Sequence, residues 1–328
     1  MSALEREVAR LADDLLFERA LDVDARDEIP RGHFDALAAA GLYGIEGPRD
    51  AGGLDLDVVT RRRIRERLAG GCLSTAFVWA QHHGAVRCVR AAPAPIRDLW
   101  LQRLCSGQAR AGLALAGLIP APAPLLRIER RGLGWALDGS SPMVTGWGYL
   151  DVLLVAARVH SEPDAVAFAL VDTSLPGLHA QPRRLAACNA ARTVQLRFDG
   201  VKIGDDDVVE TLDLPAWAAA GEGVRLNGVL AIGVAERCAR LLASDSLHAE
   251  IATARDALDA AADGDELAQV RADAALLAMR AASTLVVARG SAAVDMCEHA
   301  QRLAREAIFL LAFGQRPAIK EALLRGLA

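Results

Sequence analysis

Along the first hundred residues apolar side chains recur every three or four positions. Leu4, Val8, Leu11, Leu15 and Leu16 share one face, and Phe34, Leu37 and Ala38 open a second amphipathic segment after Ile29-Pro30. That period predicts an all-helical domain over residues 1–108. Its one irregular stretch, Glu46-Gly47-Pro48-Arg49-Asp50-Ala51-Gly52-Gly53, cannot continue a helix and predicts a surface loop. The texture then changes to short apolar runs at 110–118, 134–137, 152–158, 165–172 and 193–198, separated by Gly, Pro, Asp and Ser. These predict a small antiparallel sheet or barrel within 109–212. The segment Ile119-Pro120-Ala121-Pro122-Ala123-Pro124 can be neither a central strand nor a helix interior, so an exposed connection is expected there, one that could equally cover a ligand. A helical period returns over 226–244, 248–258, 267–290, 292–313 and 318–327, as an up-and-down bundle within 213–328 requires. The expected class is α+β, mainly α, in the order helices, strands, helices.

Composition narrows the function. The 328 residues are 52% hydrophobic but only 4% aromatic, so Ala, Leu and Val make the core, which suits close-packed helices. Thirty-seven basic residues against 42 acidic ones give a net charge of −5, with no excess positive field for binding nucleic acid. No stretch has the length of a membrane span and the N-terminus lacks a secretory apolar core, so a soluble, cytoplasmic protein is expected. The six cysteines, Cys72, Cys88, Cys105, Cys188, Cys238 and Cys297, are too scattered for a metal site and are expected to be buried free thiols.

The common signatures for dinucleotides, nucleotide phosphates and catalytic zinc (GxGxxG after a strand, GxxxxGK[ST], HExxH) are absent. His82 and His83, adjacent on a helix, point about 100° apart and cannot readily share a metal; packing is expected of them, with a pocket lining as the alternative. The run Arg61-Arg62-Arg63, with Arg65 and Arg67, predicts a solvated face or subunit contact, or else a phosphate site. Asp205-Asp206-Asp207 predicts a turn. In Pro142-Met143-Val144-Thr145-Gly146-Trp147-Gly148 the paired glycines fit either a tight turn or the approach of a flat ligand to Thr145 and Trp147.

Several of these segments together resemble the acyl-CoA dehydrogenase family over nearly the whole chain. Ile29-Pro30, Leu37-Ala38-Ala39-Ala40-Gly41-Leu42 and Pro48-Arg49-Asp50-Ala51-Gly52-Gly53 resemble its N-terminal signature. Trp135-Ala136-Leu137-Asp138-Gly139 with Val144-Thr145-Gly146 resembles its flavin strand, and Val171-Asp172-Thr173, Pro176-Gly177 and Arg197-Phe198-Asp199-Gly200-Val201 its later strands. Ala304-Arg305-Glu306-Ala307 through Phe313-Gly314-Gln315-Arg316 resembles its closing segment. The resemblance implies FAD between the β domain and the C-terminal bundle, in a dimer or tetramer. It places the flavin ring against Leu113, Leu115, Ala116, Val144, Thr145 and Gly146, with Gly290 and Ser291 near the diphosphate and Phe313 and Gly314 in the substrate pocket.

In that family a glutamate takes the α-proton of an acyl thioester, on coenzyme A or a carrier protein, while hydride leaves the β-carbon for the flavin. Here the glutamate's position is Gly314, and the alternative base position falls at about Leu226. Neither carries a proton acceptor. Glu222, Glu298 and Glu306 are the substitutes nearest in sequence, and the place of Glu306 implies a structural salt bridge. Three readings follow. The chain is a base-lacking subunit beside a base-bearing homologue, a self-sufficient flavoenzyme with a non-standard base or oxygen-dependent chemistry, or a flavin-free structural or binding homologue. Under the first two, Thr145→Ala is expected to lower flavin occupancy, read from the visible absorption of the purified protein.

Overall fold

The computed structural model describes residues 2–118, 126–219 and 221–328. Helices lie at both ends and a sheet in the middle, as the hydrophobic period predicts. Ser2 caps α1 (Ala3–Arg10) through a reciprocal box with Glu5. A wider π-helical turn, Leu11–Phe17, carries α1 into α2 (Glu18–Arg26). Then come α3 (Arg31–Ala39), α4 (Val58–Gly71), α5 (Leu73–Ala91) and α6 (Ala94–Ser106).

Among the described residues the strands are β1 (Ala111–Ala114), β2 (Leu126–Arg131), β3 (Gly134–Val144), β4 (Val152–Val159), β5 (Glu162–Asp172), β6 (Leu178–Pro182), β7 (Val194–Ile203) and β8 (Val208–Asp213). They form one sheet in the order β6-β7-β3-β2-β4-β5-β8, with β1 also on β4. The sheet is mixed rather than antiparallel: β4 runs parallel to both β1 and β2. The chain inserts the β2–β3 hairpin between β1 and β4, so the later strand arrives in the same direction as the earlier ones. Three strands escape the apolar pattern. β2 reads Leu-Arg-Ile-Glu-Arg-Arg and buries only Leu126 and Ile128 fully, while β6 and β8 are largely exposed edge strands, β6 ending at Pro182. β4 lies in the interior of the sheet: Leu153, Val155 and Ala157 enter one hydrophobic core, and Val152, Leu154 and Ala156 enter the other. The proline-rich segment 119–124 falls outside the described residues.

After α7 (Leu214–Ala219) the bundle comprises α8 (Glu222–Leu242), α9 (Asp245–Ala260), α10 (Asp265–Arg289), α11 (His299–Ala312) and α12 (Pro317–Leu327). The single helix expected over 292–313 is broken. Gly290, at φ +63°, ends α10, a 3₁₀ turn covers Gly290–Val294, and Asp295 accepts from the Cys297 amide before α11 begins. All six cysteines are free, but only four are buried; Cys88 is half-buried and Cys297 exposed.

The basic run corrects a second expectation. Instead of facing solvent, α4 is clasped between the N-terminal helices and the bundle. Arg62 pairs with Glu222 at 2.9 Å and Asp259 at 3.0 Å, Arg63 with Asp259 at 2.6 Å, and Arg67 with Asp13 at 2.5 Å. Arg237 of α8 also reaches Asp13, and donates to the Gly70 carbonyl at 2.7 Å. Glycines bring these groups within reach. A Cβ on Gly70 would sit 2.7 Å from the Gly233 carbonyl, and one on Gly233 would enter the Glu66 backbone. Gly233→Ala is therefore expected to force α4 and α8 apart and cost about 1–3 kcal/mol, measurable as a lowered denaturant midpoint.

Candidate functional site

The spacing along α5 creates the first wall of a pocket. Phe77, Ala80, Gln81 and Gly84 recur at three- and four-residue intervals and turn one face toward β1 and α8. Gly84 lets the helix approach β1, since a Cβ there would meet Leu113 at 2.9 Å. His82 pins the same contact from the neighbouring face. Its Nδ1 accepts from the Ala111 amide at 3.0 Å, which leaves Nε2 to donate to the Leu104 carbonyl at 3.1 Å. Burial lowers its pKa to about 3, so the ring is neutral and the tautomer fixed. His83 is also fully buried and packs edge-on against Trp79. The two histidines pack rather than ligate.

The pocket, about 270 Å³, opens where α5, β1, α8 and the turn after α11 meet. Leu113, Leu115 and Ala116 line it from the β1 side, Leu226, Asn227 and Leu230 from α8, and Phe313, Gly314 and Gln315 from the turn. Trp217 and Met143 complete the apolar wall. Met143 has φ +60° at a register shift between β3 and β7, a strained conformation for a non-glycine residue.

Six of the residues chosen from sequence thus converge here: Leu113, Leu115, Ala116, Leu226, Phe313 and Gly314. Val144, Thr145 and Gly146 do not line the pocket. Thr145 is buried beside it in sequence, its hydroxyl paired with that of Thr193 at 3.2 Å. Gly290 and Ser291 lie exposed at the far end of α10.

No Asp or Glu lines the pocket among the described residues. Glu222 does not stand in a loop but opens α8, tied to Arg62 at 2.9 Å and Arg225 at 3.6 Å. Glu306 is buried within α11 and paired with Arg302 at 2.5 Å, the structural bridge its position implied. Glu298 precedes α11 and is also absent from the lining.

The cationic side of the pocket was missed by sequence reasoning. Glu46 belongs to the loop expected at the surface, yet it is only 3% exposed. Arg65 pairs with it, Arg87 reaches both its oxygens at 2.9 Å, and Arg61 stands at 3.5 Å. Burial would raise the Glu46 carboxyl, but Arg65, Arg87 and Arg61 together outweigh it and hold the group below its ordinary range. Arg65 and Arg87 both line the pocket, so Glu46 fixes the wall from behind. The signal lay in the chain: Arg61, Arg65 and the Phe77–Gly84 face follow helical spacing.

Residues 2–108 match the family described as acyl-CoA dehydrogenase, N-terminal domain. Cyclohex-1-ene-1-carbonyl-CoA dehydrogenase of Geobacter metallireducens is 24% identical over 200 residues, covering 58% of this chain and 52% of that protein. The chain thus aligns with about half the length of this relative. Butyryl-CoA dehydrogenase from Megasphaera elsdenii shares the fold at a TM-score of 0.82 and 16% identity, covering 100% of this chain and 98% of that one. A glutaryl-CoA dehydrogenase from Mycobacterium smegmatis, solved in complex with FADH2, does so at 0.81 and 17%, covering 100% and 95%. Residues 2–108 thus carry the match to the acyl-CoA dehydrogenase N-terminal domain, and the chain shares the fold of these two dehydrogenases.

Two predictions follow from this geometry. Glu46→Gln leaves Arg65 buried without a countercharge and is expected to cost about 3–5 kcal/mol in chemical denaturation. Because the folded-state carboxyl is depressed, its contribution is present above the unfolded-state pKa and is lost as pH falls through the folded one. The variant should therefore show a shallower loss of stability on the acid side of the glutamate range. Gly314→Glu, the glutamate that the sequence resemblance would place there, meets a structural obstacle. Gly314 has φ +64°, and a Cβ there would lie 2.5 Å from Asn227 Nδ2. The single variant is expected to lose stability through the left-handed backbone that position 314 requires, read as a lowered melting temperature.

Proposed function

We propose that the chain is a flavoprotein subunit of an acyl-CoA dehydrogenase-type assembly, binding FAD and an acyl thioester while a homologous partner supplies the catalytic base. The absence of a carboxylate from the described pocket lining, with Gly314 in the family's base position, carries this reading.

The residues present suit a flavin ring beside a thioester. Leu113, Leu115, Ala116, Phe77 and Met143 offer apolar surface to a flat aromatic system and exclude water from the reacting carbons. At about 270 Å³ the pocket takes the reacting end of such a ligand and leaves nucleotide portions outside. When bound, FAD supplies a two-electron acceptor for a hydride from the β-carbon. The family's chemistry also requires removal of the α-proton, and glycine at 314 has no group to receive it. Glu222 and Glu306 are already engaged by arginines, so the proton must leave through a carboxylate brought by another chain.

Visible absorption tests the reading. The protein purified alone, loaded with FAD and titrated anaerobically with acyl-CoA thioesters, should keep its flavin band. Addition of a base-bearing homologue that co-purifies with it should bleach the band. Bleaching by the chain alone would show that it carries its own base.

A further inference from the structure

We propose that Gln81 and Asn227 determine the specificity of the pocket, selecting an acyl thioester that bears a hydroxyl or carbonyl oxygen on its first acyl carbons over a plain alkyl one. The inference rests on the thioester reading above. Gln81 enters from α5 and Asn227 from α8, both line the same cavity, and neither carboxamide has a hydrogen-bond partner among the described residues. Around them the wall is Phe77, Ala80, Leu113, Leu226, Leu230 and Phe313. A carboxamide presents both donors and an acceptor, so each can satisfy a hydroxyl completely. A saturated alkyl chain would instead strip water from both amides and return nothing, which is how a polar-lined site rejects an apolar analogue.

The placement of Asn227 adds position to this chemistry. Its Nδ2 stands 2.5 Å from where a side chain on Gly314 would begin. An amide donor therefore occupies the space into which residue 314 would project, next to the carbons that the proposed reaction changes. Arg65 and Arg87 on the same lining already face the Glu46 carboxylate, and Arg316 lines the cavity as well. Gln315 on the same lining is already engaged, its Nε2 donating to the Leu311 carbonyl at 2.8 Å, so the carboxamides with no partner among the described residues are those of Gln81 and Asn227.

Calorimetric titration of the FAD-loaded protein with butyryl, 2-hydroxybutyryl and 3-hydroxybutyryl thioesters of pantetheine tests the proposal. Pantetheine is the arm that coenzyme A and carrier proteins share, so either carrier is represented. At least one hydroxybutyryl thioester should bind about tenfold or more tightly than butyryl. In Gln81→Leu/Asn227→Leu that preference should fall to within about threefold, with butyryl binding unchanged or tighter. Asn227→Ser, which keeps a hydrogen-bonding group without the bulk, should retain part of it. Equal affinities in the unmodified protein would overturn the proposal while leaving the thioester reading intact. A preference that survives the double substitution would overturn it as well. Loss of flavin content in Asn227→Leu with the thioester preference unchanged would assign the amides to the cofactor instead. Failure of all three thioesters to bind would bring down the thioester reading and this inference with it.

Discussion

The close contact of α4 with α8 is the constraint on which the rest of the molecule depends. Gly70 and Gly233 let two backbones meet where any side chain would hold them apart. At that distance the α4 arginines reach Asp259, Glu222 and Asp13, while Arg237 reaches back to the Gly70 carbonyl. Buried charges of this kind contribute little net stability but are costly to leave half-paired, so they fix one register of the two helices. With α8 held, its Leu226–Leu230 face has a single position relative to α5 and β1. The pocket is the space left between them.

That pocket combines an apolar wall with a restricted set of polar groups. The α5 side is rigid because His82 ties it to both β1 and the end of α6, and because Glu46 holds Arg65 and Arg87 from behind. The turn after α11 is less crowded by design of its sequence, since Gly314 takes a left-handed conformation and cedes its side-chain space to Asn227. Among the described residues the wall around Gly314 offers amides and no carboxylate.

Much of this was legible in the chain. The 3.6-residue period placed both helical regions, short apolar runs placed β1, β3, β4, β5 and β7, and Phe313 and Gly314, named from the resemblance, line the pocket. What escaped did so for physical reasons. β2 carries charged residues on its outer face, and β6 and β8 are edge strands, so none needs an apolar run to be stable. The 292–313 helix broke because Gly290 and Asp295 supply a turn that a hydrophobic period does not register.

The sequence by itself determined which segments are amphipathic, where glycine and proline interrupt them, and that no carboxylate stands at 314 or 226, because these follow from local backbone preference and residue identity. Only the tertiary structure decided that the α4 arginines face inward, that Glu46 is buried beneath Arg65 and Arg87, and that Gln81 and Asn227 share a cavity. Those facts arise from pairs 19 to 197 positions apart, such as Arg65 with Glu46 and Arg62 with Asp259. Charge and amide groups carry no periodic signal of their partners. Their roles are set by what the packed helices bring within hydrogen-bonding distance.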